Sequence, residues 1–237
     1  MLLAKRAKKD FVEDSEGLLE DDFQTESLSA LDKEARLPSA VRAIAKFITN
    51  VGAPPFTFLL ASIFLALQPV DEAPSLSLAL KVGMIGGLAP LGVLVVLRLM
   101  KTIETLDLST FRERIIGFGL AIGFGVFLLA SLEASSRSLT LSTFLYAHII
   151  ATGIFFLATI YTMRFGWKLS VHSGGVASLL FIGLFCFGKA ALVWGSLCVL
   201  AVCWSRICLG RHTLQEVVFG VVLGFGTYAA VFKLAGI

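Results

Sequence analysis

Seven long apolar segments, separated by short charged or polar stretches, dominate this sequence of 237 residues. A helix needs roughly 20 apolar residues to cross a bilayer, and most of the segments approach or reach that length. We expect an all-α fold, a polytopic transmembrane helical bundle. The fifth and sixth segments are short and could form a hairpin of uneven spans, so we expect six to seven spans. With boundaries at charged or polar residues, the segments cover about 47–69, 76–97, 115–132, 141–163, 172–188, 190–204 and 217–237.

The N-terminal 45 residues differ in composition from the rest of the chain. Ten of the 17 acidic residues lie between Asp10 and Glu34, and a basic run follows the first four residues. That start lacks an apolar core of the length that a secretory signal requires. We expect residues 1–45 to form a polar tail, disordered or peripheral, and residues 46–237 to form the transmembrane domain.

Polar residues recur in three clusters, at 107–114, 168–175 and 204–216, and two apolar segments separate each cluster from the next. A bundle of seven spans therefore brings all three clusters to one face. Loops on that face carry most of the Lys and Arg residues, which predicts a multi-pass integral membrane protein with this face in the cytoplasm. Polar groups at membrane level are costly and usually functional. No nucleic-acid-binding motif is visible, so membrane lipids are the expected surroundings.

The third cluster carries the densest chemistry. His212 and Glu216 are four residues apart, so they share a face if the last helix begins near Gly210. A carboxylate there would fix the tautomer of the imidazole and prepare the other ring nitrogen as a nucleophile or base. Arg206 offers a planar guanidinium that suits phosphate oxygens. A surface ion pair is the alternative role for His212 and Glu216.

The other two clusters supply complementary groups. Arg114, together with Arg112, could form a second phosphate clamp, and both could instead be anchors at the membrane interface. His172 could protonate a leaving oxygen. Ser170 and the amides that follow it could donate to phosphate at a helix N-terminus. Phosphoryl transfer requires this combination of positive charge and hydrogen-bond donors.

Two motifs contain these residues: Ser170-x-His172 and Ser205-Arg206-x5-His212-x3-Glu216. Over about residues 45–237, the chain resembles the type 2 phosphatidic acid phosphatase family of membrane phosphatases. The resemblance implies a metal-independent enzyme without a cofactor that forms a phosphohistidine on His212. It further implies that His172 is the acid, that Glu216 orients the nucleophile, and that phosphate is bound by Arg206 and Ser170. The expected substrate is a phosphorylated lipid, either a monophosphate or an isoprenyl diphosphate.

The chain departs from the family pattern in all three motifs. Glu216 stands where Asp is usual, and two positions of the second motif differ. The first motif, Lys-x6-Arg-Pro, is absent as such; Arg114 best matches its arginine, and Arg112 or Lys101 its lysine. These departures motivate an alternative, a family-like membrane protein that binds a phosphorylated lipid or a partner without turnover. A phosphatase for a soluble or sugar phosphate is a third possibility.

Two further features lead to expectations that the structure can address. His148 lies inside the fourth segment, where an interhelical hydrogen bond is its expected role. A metal site formed by His172, His212 and Glu216 is conceivable from ligand type, but the neighbouring arginines would repel a cation. Glycines in the third and last segments are expected to let helices pack closely.

Overall fold

The structure is a computed structural model that describes residues 32–69, 73–108, 110–135, 138–163 and 167–237. These residues form helices and short connections, and none of them lies in a β-strand. The predicted all-α polytopic bundle is therefore confirmed. In chain order, the helices are α1 (Ser39–Val51), α2 (Pro54–Leu67), α3 (Leu76–Gly83), α4 (Ala89–Leu99), α5 (Phe111–Ser135), α6 (Leu139–Met163), α7 (Val171–Phe187), α8 (Ala190–Cys208) and α9 (Leu214–Leu234).

Within the described residues, five helical stretches are long and apolar enough to cross a membrane: Leu76–Leu99, Phe111–Leu132, Leu139–Thr162, Ala190–Cys208 and Leu214–Leu234. Helices α1 and α2 pass the same test as a pair, with a bend of 53° between them. Pro54 and Pro55 occupy the first turn of α2, where a missing N–H costs little because that turn leaves its N–H groups unpaired in any case. Helix α7 is apolar but has only 17 residues. All seven apolar segments of the sequence are thus largely helical.

The outer surface of the bundle is apolar. Val193, Leu197 and Leu200 on α8 and Val222 on α9 are each more than 60% exposed. Lipid hydrocarbon can surround such side chains, and the helices satisfy their own backbone hydrogen bonds. The protein is accordingly a multi-pass membrane protein.

The span Leu76–Leu99 contains an irregular turn. Helix α3 passes into a π-helical turn at Met84–Leu88, and α4 resumes at Ala89 with Pro90 in its first turn. Pro90 has no N–H to donate, so the regular helical hydrogen-bond pattern is interrupted here. The irregular turn therefore lies directly before Pro90.

Helix α7 lies at the centre of the bundle, with α2, α8 and α9 packed around it. The contact between α7 and α9 requires glycine, because a Cβ on Gly224 would overlap the carbonyl group of Gly174. A Cβ on Gly220 would lie 2.5 Å from the carbonyl oxygen of Ser170. The predicted close packing is present at these two glycines of α9, whereas Gly226 has open space around it. This contact holds the first turn of α7 against the second and third turns of α9.

Residues 32–45 belong to the predicted polar tail, yet a large part of this stretch is helical. Residues 32–35 are helical, and α1 begins at Ser39. Glu34 is buried, with carboxylate oxygens 2.6 Å from Lys46 Nζ and 3.3 Å from Arg211 Nη2. Two cations compensate for the burial of this carboxylate, which composition alone does not reveal. Residues 1–31, the rest of the predicted tail, lie outside the described residues.

Candidate functional site

The turn at Gly210, directly after α8, brings Arg206 and His212 close together in space. Gly210 follows the end of α8 with a left-handed φ of 67°. The N–H of Arg211 donates to the carbonyl of Arg206 at 3.0 Å, and the N–H of Gly210 donates to that of Ile207 at 2.9 Å. This pair of bonds is a Schellman motif, which turns the chain after a helix. The N–H of His212 also donates to the Arg206 carbonyl, at 3.3 Å, so the turn brings both residues to one place.

Two acceptors hold the imidazole of His212 in one tautomer. Its Nδ1 lies 3.0 Å from the carbonyl oxygen of Lys168 and 3.2 Å from Oε2 of Glu216. A carbonyl oxygen cannot donate a hydrogen bond, so Nδ1 carries the hydrogen. In the neutral ring, Nε2 therefore keeps a lone pair. The predicted contact between His212 and Glu216 is present, and it prepares Nε2 as a nucleophile or base.

This contact does not arise from a shared helix face, because α9 begins at Leu214 rather than near Gly210. Thr213 is the N-cap of α9 and forms a capping box with Glu216. The Glu216 N–H donates to Thr213 Oγ1 at 3.4 Å, and Oε2 accepts from the Thr213 N–H at 2.9 Å. Oε1 accepts from the Lys168 N–H at 2.7 Å. The capping box requires a side chain that reaches back to the N-cap, which gives a structural reason for glutamate rather than the shorter aspartate at position 216.

The start of α7 lies against these residues. Ser170 is the N-cap of α7, and its Oγ accepts from the Ser173 N–H at 3.4 Å. Ser170 is fully buried and is not among the residues that line the cavity, so the structure does not bring its hydroxyl to the predicted phosphate position. His172 does line the cavity. The charged and titratable groups that surround it include Arg206, Asp107, His212 and Arg114.

A second capping box organises the first polar cluster. The Glu113 N–H donates to Thr110 Oγ1 at 3.3 Å, and Glu113 Oε2 accepts from the Thr110 N–H at 3.2 Å. Glu113 Oε1 also accepts from the N–H groups of Glu104 and Thr105, at 2.6 Å and 3.2 Å. One carboxylate thus ties the loop before α5 to the first turn of that helix.

Arg114 is buried beside this loop and lines the cavity. Its Nε donates to the carbonyl of Leu108 at 3.2 Å, and its Nη1 donates to that of Leu169 at 3.5 Å. Leu108 has a left-handed φ of 51°, a backbone conformation that is costly for a leucine. Arg112, in contrast, is exposed and is not among the residues that line the cavity. The structure therefore separates the two arginines that the sequence suggested as one clamp.

Asp107 contacts the arginine that was predicted to bind phosphate. Its Oδ1 lies 3.0 Å from Nη1 of Arg206, and its Oδ2 lies 3.7 Å from Nε of Arg211. Burial alone would raise the pKa of Asp107, but Arg206, assisted by His172 and Arg211, holds this pKa well below its usual range. A phosphate group must therefore share Arg206 with a carboxylate or displace it. The Nε of Arg206 is buried and has no hydrogen-bond partner among the described residues.

The surroundings of His212 disfavour its cationic form. Burial lowers the pKa of His212 to about 4, and the positive charges of Arg206 and Arg114 act in the same direction. The hydrogen bond to Glu216 opposes this shift. The ring is consequently neutral at pH 7, which is the form with a nucleophilic lone pair on Nε2.

One large cavity connects these polar groups with the apolar interior of the bundle. Its volume is about 750 Å³, which is typical of sites for small molecules. The polar end is lined by Arg114, His172, Arg206, Arg211 and His212, and the apolar end by Phe58, Leu94, Phe118, His148, Leu179 and Tyr228. The cavity can therefore hold a ligand with a charged head and an apolar body.

Sequence reasoning assigned no role to Asp107, Arg211 or Glu34, which form ion pairs around the polar end of the cavity. Asp107 and its partner Arg206 are 99 positions apart, so no local pattern indicates that they meet. Both capping boxes, in contrast, follow the pattern Thr-x-x-Glu, which is readable in a sequence. That pattern would have placed the start of α9 correctly.

Among the described residues, no group of three or more His, Cys, Asp or Glu side chains is arranged to hold a metal ion. A scan of protein-family models and searches of curated proteins and of solved structures found no match to this chain. A functional assignment therefore depends on the site itself.

Proposed function

We propose that this protein is an integral membrane phosphatase that hydrolyses a lipid phosphate monoester or an isoprenyl diphosphate through a phosphohistidine on His212. The orientation of His212 carries the proposal. Two acceptors hold its Nδ1, and the ring lines the polar end of the cavity. Its low pKa keeps the ring neutral. Arg206 and Arg114 line the same end and supply positive charge for the phosphate oxygens.

The reaction has two steps in this proposal. Nε2 of His212 attacks phosphorus, the bond between phosphorus and the lipid oxygen breaks, and the protonated form of His172 donates a proton to the departing oxygen. Burial and the charge of Arg206 lower the pKa of His172 to about 3, so this protonated form requires the negative charge of the bound phosphate beside it. Glu216 stabilises the positive charge that develops on the His212 ring. Water then attacks the phosphohistidine, His172 accepts a proton from that water, and inorganic phosphate leaves with His212 restored.

The shape of the cavity supports a lipid substrate. Its apolar part extends between side chains of α2, α4, α5, α6 and α7, among them Phe58, Leu94, Phe118, Ala151 and Leu179. A lipid chain buried there would gain roughly 0.8 kcal/mol for each CH₂ group removed from water. The phosphate site is proposed to open to the cytoplasm, since the loops on its face carry the excess of Lys and Arg residues.

The contact between Asp107 and Arg206 favours a second candidate function. A carboxylate that already neutralises the phosphate-binding arginine would suit a protein that binds a phosphorylated lipid without turnover. This candidate uses the same cavity but needs no nucleophile. Release of inorganic phosphate distinguishes the two candidates.

The test measures phosphate release by the protein purified in detergent, with EDTA present, from phosphatidic acid, an isoprenyl diphosphate and a sugar phosphate. We expect release from at least one lipid substrate but not from the sugar phosphate, and loss of release in His212→Ala with an unchanged gel-filtration profile. Activity that survives His212→Ala contradicts the nucleophile assignment. Activity that EDTA abolishes and zinc restores indicates a metal site instead. Lipid binding without release supports the second candidate.

A further inference from the structure

Residues 32–37 form a short strap that precedes α1 and lies beside the polar end of the cavity. Residues 32–35 make a single helical turn, and two irregular residues follow it before Pro38. Glu34 is buried and lines the cavity, whereas the other four residues of 32–36 are exposed. The proposed hydrolysis gives this strap no role. A carboxylate from outside the three polar clusters thus reaches the cavity.

Three basic side chains hold the strap in place. Lys46 Nζ donates to Glu34 Oε1 at 2.6 Å, and Arg211 Nη2 donates to Glu34 Oε2 at 3.3 Å. Arg42 Nη2 donates to two backbone carbonyls of the strap, at 2.9 Å and 3.0 Å. Arg42 and Lys46 are four residues apart on α1 and therefore share one face of that helix. These attachments are polar, so an anion that binds one of the cations competes with them.

The contact between Glu34 and Arg211 belongs to a longer series of ion pairs. Arg211 Nε lies 3.7 Å from Oδ2 of Asp107, and Oδ1 of Asp107 lies 3.0 Å from Nη1 of Arg206. Charges alternate along the series Lys46, Glu34, Arg211, Asp107 and Arg206. One end of the series is the arginine assigned to the substrate phosphate. An anion that binds there therefore changes the electrostatic balance at Glu34.

The charges of the series indicate which partner must leave. A hydrogen bond from Lys46 holds the pKa of Glu34 below its usual value, and the charges of Lys46 and Arg211 act in the same direction against burial. Three cations and two carboxylates leave the series with one positive charge. A phosphate group adds about 1.5 to 2 negative charges at pH 7. The series is then close to neutral only if one carboxylate leaves it.

We propose that residues 32–37 are an autoinhibitory strap, in which the Glu34 carboxylate competes with a phosphate group for Arg211 and leaves when phosphate binds at the polar end of the cavity. Glu34 is the carboxylate that leaves because it lies in a single helical turn whose neighbouring residues are exposed. This proposal goes beyond the phosphatase activity, since a protein that binds phosphate without turnover would be inhibited in the same way.

The first test follows the strap by hydrogen exchange. The N–H of Arg36 donates to the carbonyl of Asp32 at 3.2 Å, and the N–H of Leu37 donates to that of Glu34 at 3.3 Å. A single helical turn is not stable when it is detached, so both amides report release of the strap. The full chain in detergent is labelled from milliseconds onward, in inorganic phosphate or in sodium chloride of equal ionic strength. We expect faster exchange at both amides in phosphate, and equal rates in the two salts overturn the proposal.

The second test measures the dissociation constant of inorganic phosphate by calorimetry. Glu34→Gln removes the competing charge, and we expect the dissociation constant to fall about fivefold. Asp32→Asn is the matched control, because it removes the same charge from an exposed residue of the strap that pairs with Arg36. This control should change the dissociation constant by no more than about twofold.

Unchanged or weaker phosphate binding by Glu34→Gln overturns the strap, as does equal tightening in both variants, which would reflect net charge alone. If Glu34→Gln does not fold, the exchange measurement on the wild-type protein decides. Failure of the proposed function gives a different result: no lipid substrate releases phosphate, while the strap still responds to inorganic phosphate.

Discussion

Two walls of the polar site are built in different ways. The helix wall, residues 168–174 and 205–216, contains both histidines of the site, and helix caps and a glycine contact set their positions. The loop wall, residues 104–114, contains Asp107 and Arg114, which contact residues far away in the sequence. Local helix caps orient the main groups of the helix wall, although its two parts meet through bonds to Lys168. The main groups of the loop wall, Asp107 and Arg114, are positioned by contacts that exist only in the assembled bundle.

This difference corresponds to what each wall does in the proposed reaction. A nucleophile and its acid must be held within a fraction of an ångström, and capped helix ends provide that precision. Charges that bind phosphate must change partners, because Asp107 shares Arg206 with the incoming phosphate or leaves it. The comparison implies that changes in the helix wall reduce turnover, while changes in the loop wall alter ligand binding.

The largest effect is expected in the helix wall from Glu216→Gln. Glutamine is similar in size but lacks the charge that stabilises the developing imidazolium. We expect kcat/KM to fall about 1000-fold, as measured by phosphate release from the best lipid substrate. A loss of less than about tenfold would show that Glu216 serves mainly as a helix cap.

The pH dependence of Glu216→Gln sharpens this prediction. The neutral ring of His212 is the active form, so wild-type kcat/KM should not decline through titration of His212 until the pH approaches about 4. Glu216 raises the pKa of His212 against the effect of burial. The Glu216→Gln variant should therefore lose kcat/KM only at a lower pH than the wild-type protein does. A loss that begins at a higher pH contradicts the assigned interaction.

The next effect separates two neighbouring arginines of the loop wall. Arg114→Ala removes a buried guanidinium at the cavity, and we expect kcat/KM to fall about 100-fold. Arg112→Ala removes an exposed side chain and should change kcat/KM by no more than about twofold. Parallel assays of both variants, with their melting temperatures, test the placement. Equal decreases in kcat/KM for the two variants would show that Arg112 also binds the phosphate, as the sequence suggested.

A smaller effect is expected where the helix wall is held by glycine. Gly224→Ala places a Cβ against the backbone of Gly174. We therefore expect a lower melting temperature and a decrease in kcat/KM of about tenfold. Gly226→Ala in the same helix meets open space and is the matched control. Alanine favours helix, so this control should be neutral or slightly stabilising. Identical behaviour of the two variants would contradict the close contact.

The smallest effect concerns competition in the loop wall. Asp107→Asn removes a negative charge from Arg206, so the dissociation constant for inorganic phosphate should fall about fivefold, which corresponds to ~1 kcal/mol. The depressed pKa of Asp107 keeps the wild-type carboxylate charged through about pH 4, so mild acidification does not imitate the variant. Weaker phosphate binding by Asp107→Asn would show that the carboxylate supports the ligand instead of competing with it.

The sequence predicted the helix wall better than the loop wall. The contact between His212 and Glu216 lies within one short stretch, and apolar length bounded by charged or polar residues located the seven apolar segments. The start of α9 was placed too early, because the capping box of Thr213 was not used.

The loop wall was harder to predict from the sequence, for a physical reason. Ion pairs of Asp107 and Glu34 join residues that only the folded bundle brings together, at separations of 99 and 177 positions. Burial of Ser170 likewise depends on the contact between α7 and α9, which a motif does not encode. Spacing within a motif therefore predicted which residues share a turn, but not which of them face the cavity.

Trapping the phosphorylated enzyme tests the role of His212 most directly. The protein is mixed with its best lipid phosphate, quenched at alkaline pH because phosphohistidine is labile to acid, digested and analysed by mass spectrometry. We expect phosphate on His212 within the first turnover, with a decay rate that is no slower than steady-state release. Rapid turnover with no phosphate on His212 at any time point would contradict the account.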